Sequence, residues 1–256
     1  MTRKVLCVTD LDGTLVRNSV QIHTDDLAAY QELLTFSDMA IATGRSIKEI
    51  NYLAENHHLA LQYAIGFNGA VVEAKSCPIF SQCLAKDDLS ALLDYLKEEQ
   101  LIFDALDGKE RIGNFMHEDQ QRVWNMPILC LPSPFEEVRK RTIYKVNIRP
   151  NAEKTPFYVA ALKQAFPQLE VFQSGTTRIE VTAKGVSKGN SLAFLRNHYD
   201  RIVTFGDSGN DVTMFEMSDI SYCMNHAPKE VQSLATHVVP SFVAAVEHLK
   251  MQLHPS

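Results

Sequence analysis

No apolar run in this chain approaches the roughly 18 to 20 residues needed to cross a bilayer, so a membrane-embedded protein is not expected. There is no basic surplus either, because 25 Lys and Arg stand against 31 Asp and Glu, a formal charge of −6. Broad capture of nucleic acid or of an anionic membrane surface needs the opposite balance. Cysteine is sparse and has no pairing pattern: Cys7, Cys77, Cys83, Cys130 and Cys223 make an odd count without a C-x-x-C pair. That argues against a disulfide framework or a zinc site. Cys7 and Cys223 lie within apolar runs and read as buried thiols in a reducing compartment. The basic start, Met1 to Lys4, leads into an apolar stretch that stops at Asp10, too short for an export signal, so a cytoplasmic protein is expected. With 11 Gly and 10 Pro dispersed along the chain, low-complexity and collagen-like architectures are excluded.

What is present is a chain of 256 residues, 45% hydrophobic and 22% charged, long enough for one large domain or two modest ones. Strand-like and helix-like segments alternate over the first 70 residues. Lys4–Thr9 and Met39–Thr43 are apolar strands, Asp25–Phe36 has helical spacing, and Ser46 with Glu49 has the spacing of a capping box that opens a second helix. A third strand, Gln62–Phe67, turns at Asn68-Gly69 into Ala70–Ala74. The rhythm resumes after residue 182 with a helix over Ser187–His198, a strand at Ile202–Phe205, a helix at Asn210–Met217 and a strand at Ile220–Met224. Such alternation predicts an α/β fold whose Rossmann-like core is a parallel sheet covered on both faces. Residues 84–182 read differently, as mixed α+β with an antiparallel sheet. They are therefore expected to form an inserted domain, leaving 1–83 and 183–256 as the core.

Ligands bind open parallel sheets at the carboxyl ends of the strands. The first strand ends in Asp10-Leu11-Asp12-Gly13-Thr14, the second in Thr43-Gly44-Arg45, and a late one in Gly206-Asp207-Ser208-Gly209-Asn210-Asp211, while Lys188 opens the helix after the insertion. Crowded carboxylates need a cation, and an all-oxygen set with few protein ligands suits magnesium. A carboxylate can attack phosphorus and split one displacement into two. A second acid two residues along a tight turn can protonate the departing alkoxide and then activate water. Thr43, Gly44, Arg45, Lys188 and Asn210 are candidate phosphate binders.

These segments, in this order and over essentially the whole chain, resemble the four motifs of the haloacid dehalogenase-like superfamily. The resemblance implies Asp10 as nucleophile and Asp12 as acid/base with its main-chain carbonyl on Mg2+. It implies Thr43 and Lys188 on the phosphate, Asp207 as the other metal carboxylate, and Asn210 and Asp211 in support. Only 31 positions separate Asp12 from Thr43, whereas 145 separate Thr43 from Lys188, so a cap fits only in the second interval. Asn68-Gly69-Ala70 and Gly185-Val186-Ser187-Lys188-Gly189 further resemble the Cof-type phosphatases. One departure is visible: Met224-Asn225-His226-Ala227 stands where those proteins usually have Met-Gly-Asn-Ala. The function implied is Mg2+-dependent hydrolysis of a small phosphorylated metabolite, such as a sugar phosphate or phosphorylated cofactor. Two rivals share part of the constellation, a phosphomutase acting on hexose phosphates and a phosphoacceptor signalling module.

Other features have simpler readings. Asp10-x-Asp12-Gly13 is not a calcium loop, since the twelfth position is Gln21 rather than Glu. Gly206-Asp207-Ser208-Gly209 resembles a serine protease segment, but it ends a strand within α/β alternation. His57-His58 is expected at an exposed helix end, Arg139-Lys140-Arg141 on a solvated helix face, and Trp124 in packing. Lys145, Asn147 and Arg149 alternate with apolar neighbours, so one strand face is polar. The reading favours solvent for that face over the alternative that it lines the active site.

Overall fold

The computed structural model describes residues 4–116 and 124–253. Residues 117–123 of the predicted insertion lie outside the described residues. The chain opens with β1 (Val5–Thr9), α1 (Thr24–Leu33), β2 (Asp38–Ala42), α2 (Ile47–His57), β3 (Tyr63–Gly66), β4 (Val71–Ala74) and β5 (Cys77–Ser81). Next come α3 (Lys86–Glu98), β6 (Phe103–Leu106), β7 (Arg111–Gly113), β8 (Ile128–Cys130), α4 (Pro134–Lys140), β9 (Lys145–Ile148), α5 (Thr155–Ala165), β10 (Leu169–Gln173) and β11 (Ile179–Ala183). It ends with α6 (Lys188–Ala193), β12 (Arg201–Gly206), α7 (Val212–Glu216), β13 (Ile220–Met224), α8 (Lys229–Gln232), β14 (His237–Val239) and α9 (Phe242–Leu253).

The first sheet has the order β14-β13-β12-β1-β2-β3-β4-β5. Its central strands are parallel and mainly apolar, because both faces are covered. Alternate side chains of β1 divide between two cores. Val5 and Cys7 join Tyr30, Leu33, Phe242 and Val246 on one face, while Leu6 and Val8 join Leu192, Met214 and Phe215 on the other. Burial pushes the Cys7 thiol up to about 12. The sheet is not parallel to its edge, however, since β3-β4-β5 pair antiparallel. A parallel return needs a crossover of a dozen or more residues. Here Phe67, Asn68 and Gly69 reverse the chain at φ 52°, 60° and 101°. The helix expected over Ser187–His198 also divides, into α6 and a 3-10 turn at Arg196–His198 that keeps Leu195 and Tyr199 in the core.

The second sheet, β10-β11-β9-β6-β7-β8, comes from residues 103–183 and is antiparallel except for β7 with β8. Leu89, Leu92, Leu93 and Leu96 of α3 and Tyr158 and Leu162 of α5 cover one face, against Phe103, Ala105, Val146, Ile148, Ile179 and Val181. The other face presents Lys145 and Asn147, which are only 3% and 4% exposed. The solvent-facing reading of that strand face is thus overturned: it is roofed over the carboxyl ends of the first sheet. Trp124 packs as expected, donating Nε1 to the Val20 carbonyl at 3.1 Å. The basic run at Arg139–Arg141 is taken up in surface ion pairs with Asp94, Glu137, Asp107 and Glu110.

Candidate active site

Asp10 follows β1 directly and is fixed by its own N–H, which donates to the Phe205 carbonyl of β12 at 2.9 Å. The residue is 4% exposed. The Lys188 ammonium, from the first turn of α6, donates to Asp10 Oδ1 and to Asp211 Oδ1, each at 2.6 Å. Asp211 is held on its other oxygen by the N–H groups of Asp207 and Ser208, at 2.9 and 3.0 Å. Asp207 accepts from Thr14 Oγ1 at 3.3 Å and lies 3.3 Å from His226 Nε2. Gly13 makes this approach possible. It sits at φ +99°, and a Cβ there would meet Asp207 Oδ2 at 2.3 Å.

Oxygens of Asp10, Asp207 and Asp211 lie within 4.8 Å of one another. Burial and the neighbouring charges of Asp211, Asp207 and Asp12 push the Asp10 carboxyl well above the usual range, against the pull of Lys188. Three carboxylates and one ammonium leave a formal surplus of two negative charges, which a divalent cation would balance. The donor atoms are hard oxygens that suit Mg2+. The residues present therefore fit such an ion, with Asp10 and Asp207 best able to hold it, since Asp211 is held on both oxygens at 2.6 to 3.0 Å whereas the contacts to Asp207 are longer, 3.3 Å each.

Asp12 is placed apart from this cluster by its partner. Arg45 Nε and Nη2 reach its two oxygens at 2.6 and 2.7 Å. Burial alone would raise Asp12, but Arg45 outweighs it and holds the carboxyl well below the usual carboxylate range. Arg45 also contacts Glu49 at 3.2 Å and stacks 3.4 Å from the Trp124 ring centroid. Glu49 is doubly employed. It completes the capping box with Ser46, as the spacing predicted, and it anchors Arg45 and Arg111.

Thr43 lies buried at the end of β2, and its Oγ1 accepts from the Arg45 N–H at 3.2 Å. Gly44 marks a close approach of the second sheet, because a Cβ there would sit 2.9 Å from both Glu180 Oε2 and Lys145 Nζ. Asn210 donates to Asn68 Oδ1 at 3.1 Å, and Asn68 in turn donates to Glu180 Oε2 at 2.6 Å. Glu180 completes an ion pair with Lys145 at 3.1 Å.

A cavity of about 380 Å³ lies between the two sheets. Asp10, Asp12, Thr43, Gly44, Arg45, Asp207 and Asn210 line it, while Lys188 and Asp211 are buried beside Asp10. Sequence reasoning passed over Arg111, Arg178 and Glu180, which line it from the second sheet, and assigned no role to His226. Period-two alternation marked Lys145, Asn147 and Arg149, and the departure at His226 was itself the signal for that residue. No helix among the described residues is long and apolar enough to cross a membrane.

Comparison with known proteins gives a consistent picture. The family model described as haloacid dehalogenase-like hydrolase matches residues 7–243. A putative phosphatase of Haemophilus influenzae is 32% identical over 184 residues, covering 68% of this chain and 69% of its own. A 5-amino-6-(5-phospho-D-ribitylamino)uracil phosphatase of Bacillus subtilis is 24% identical, with 91% of each chain covered. Among solved structures, a sugar phosphatase of subclass IIB superposes with a TM-score of 0.82 at 21% identity, covering 97% of this chain and 99% of its own.

Proposed function

The chain belongs to the haloacid dehalogenase-like hydrolases, as a Cof-type phosphatase, and from that premise we propose that it hydrolyses small phosphorylated metabolites through a phosphorylated Asp10, with Mg2+ as cofactor. One observation carries the reading: a buried carboxylate, Asp10, opens on a cavity while Lys188 and a cluster of acids stand around it. The relatives named as phosphatases of a sugar and of a phosphoribitylamino-uracil support a phosphorylated small molecule as substrate. On this reading residues 84–182 act as a cap over a core formed by 1–83 and 183–256.

In the first step an Asp10 oxygen attacks phosphorus as the bond to the leaving oxygen breaks, and Asp12 gives that oxygen its proton. In the second, ionised Asp12 takes a proton from a water that attacks the phosphorus of phospho-Asp10, releasing phosphate and restoring the carboxylate. Asp10, Asp207 and the Asp12 main-chain carbonyl would hold Mg2+, which supplies charge for the phosphoryl oxygens when bound. Lys188 keeps Asp10 and Asp211 apart and offers its remaining N–H to a phosphoryl oxygen. Thr43, Gly44 and Asn210 shape the floor that receives the phosphoryl group. Arg45 must release Asp12 before Asp12 can act as an acid, and Glu49 and Trp124 give the guanidinium other partners when it does.

The test is phosphate release from a panel of hexose, pentose and cofactor phosphates, with and without Mg2+. Turnover that requires Mg2+ and is lost in Asp10→Asn is expected. Undiminished release from the Asp10→Asn protein would overturn the mechanism. An isomerised hexose phosphate with little free phosphate would point to a mutase instead.

A further inference from the structure

The floor and the roof of the catalytic cavity carry opposite charge. Among the charged groups lining it, the first sheet contributes Asp10, Asp12 and Asp207 against Arg45, while the second contributes Arg111, Lys145, Arg149 and Arg178 against Glu180. The roof follows from strand register. Asn147 stands opposite Glu180 on one side and Asp104 on the other, so these three share a face with Lys145 and Arg149, two residues either way. Cations so placed are costly unless paired or reserved for a ligand.

Most of these cations are paired. Lys145 binds Glu180 at 3.1 Å, Arg149 binds Asp104 at 2.9 Å, and Arg111 reaches Glu49 at 3.2 Å. Arg178 differs, since its guanidinium makes no hydrogen bond or ion pair among the described residues. Two buried polar atoms of residues that line the same cavity have no hydrogen-bond partner, Asn147 Oδ1 and Arg111 Nε, the latter 3.7 Å from Asp104 Oδ2. A guanidinium outside any ion pair, a guanidinium N–H that meets its carboxylate only at 3.7 Å and an amide oxygen without a donor form a recognition set for an anion beside a hydroxyl.

We propose that the leaving group of the preferred substrate carries a second anion, a carboxylate or a further phosphate, on a short hydroxylated carbon chain. This deepens the phosphatase reading above and rests on it. Arg178 and Arg149 take the distal anion, Arg111 Nε adds a donor, and Asn147 Oδ1 accepts a hydroxyl of the intervening chain. A cavity of about 380 Å³ suits a compact metabolite of this kind, being near the small end of ligand pockets.

The matched pair that tests this is 6-phosphogluconate against sorbitol 6-phosphate, which differ only by carboxylate or CH2OH at the far end. A hexitol 1,6-bisphosphate forms the third arm and separates a preference for distal phosphate from one for carboxylate. Wild-type protein is expected to show kcat/KM at least about tenfold higher for one or both bis-anions, mainly through KM, and the ratio is expected to fall as salt rises. Arg178→Gln removes no internal ion pair and is expected to bring that ratio within about threefold of one; Arg149→Gln is a second variant. Equal kcat/KM for all three substrates in wild-type protein, or a ratio retained in both variants, would overturn the inference while leaving the phosphatase reading intact. Absence of phosphate release from all three and from p-nitrophenyl phosphate would overturn both.

Discussion

Arg45 grips both carboxylate oxygens of Asp12, Nε at 2.6 Å from Oδ2 and Nη2 at 2.7 Å from Oδ1. A bidentate pair of this kind is among the stronger hydrogen-bonded contacts in proteins, and it fixes Asp12 in its ionised form. That form is ready to accept a proton from water. Donating a proton to a leaving group requires the pair to open, so the demand on Asp12 depends on how basic the leaving oxygen is.

Asp12→Asn is accordingly expected to lower kcat/KM for alkyl phosphates by about 10³, and to cost at least about tenfold less with p-nitrophenyl phosphate, whose leaving group departs without protonation. Parallel kinetics on the two substrates measure this. Equal losses would remove Asp12 from the role of proton donor.

Lys188 is 1% exposed and bridges two carboxylates. Removing its charge leaves Asp10 and Asp211 buried without their cation. Lys188→Met is expected to reduce kcat by about 10² to 10³ and stability by about 3 to 5 kcal/mol. Urea melts in the presence of EDTA, alongside turnover measurements, check both effects.

Glu180 joins the two sheets through Asn68 and Lys145. Burial alone would raise its carboxyl, but the charges of Lys145 and Arg178 and the bond from Asn68 outweigh burial and hold it at about 2. A carboxyl lowered on folding stabilises the protein above its unfolded value near 4.3, and that stabilisation is lost as the pH falls through about 2. Glu180→Gln is therefore expected to be less stable than wild type by about 3 kcal/mol at pH 7. The gap should narrow between roughly pH 4 and 2. A pH series of urea melts reads it directly.

Metal binding has a signature separate from turnover. Mg2+ added to EDTA-treated protein is expected to raise the melting temperature, because a ligand at about 100 times its Kd stabilises the fold by about 2.7 kcal/mol. The increment should vanish in Asp207→Asn. A wild-type melt unmoved by millimolar Mg2+ would contradict the assignment.

The floor of the site was legible in the sequence and the roof was not. Asp10, Thr43 and Asp207 stand at the ends of apolar runs, and in a parallel sheet every such end faces the same edge, so one-dimensional spacing already carried their convergence. Alternation in Tyr144–Arg149 likewise identified which residues share a face. It carried no information on what covers that face, and Lys145 and Asn147 prove buried because the second sheet folds back over Gly44. Arg111 and Arg178 come from a three-residue strand and from a strand entry, pieces too short to show a period. The antiparallel edge at β4 and β5 depends on three successive positive φ angles at Phe67–Gly69, of which only Asn-Gly announces itself as a turn.

The most direct test of the account is the chemical identity of residue 10 during turnover. Protein quenched in acid while hydrolysing substrate, reduced with borohydride and mapped by peptide mass spectrometry converts an aspartyl phosphate to homoserine. Homoserine is expected at position 10 in wild-type protein and none there in Asp10→Asn. Continued phosphate release with an unmodified Asp10, or homoserine at another aspartate, would contradict it.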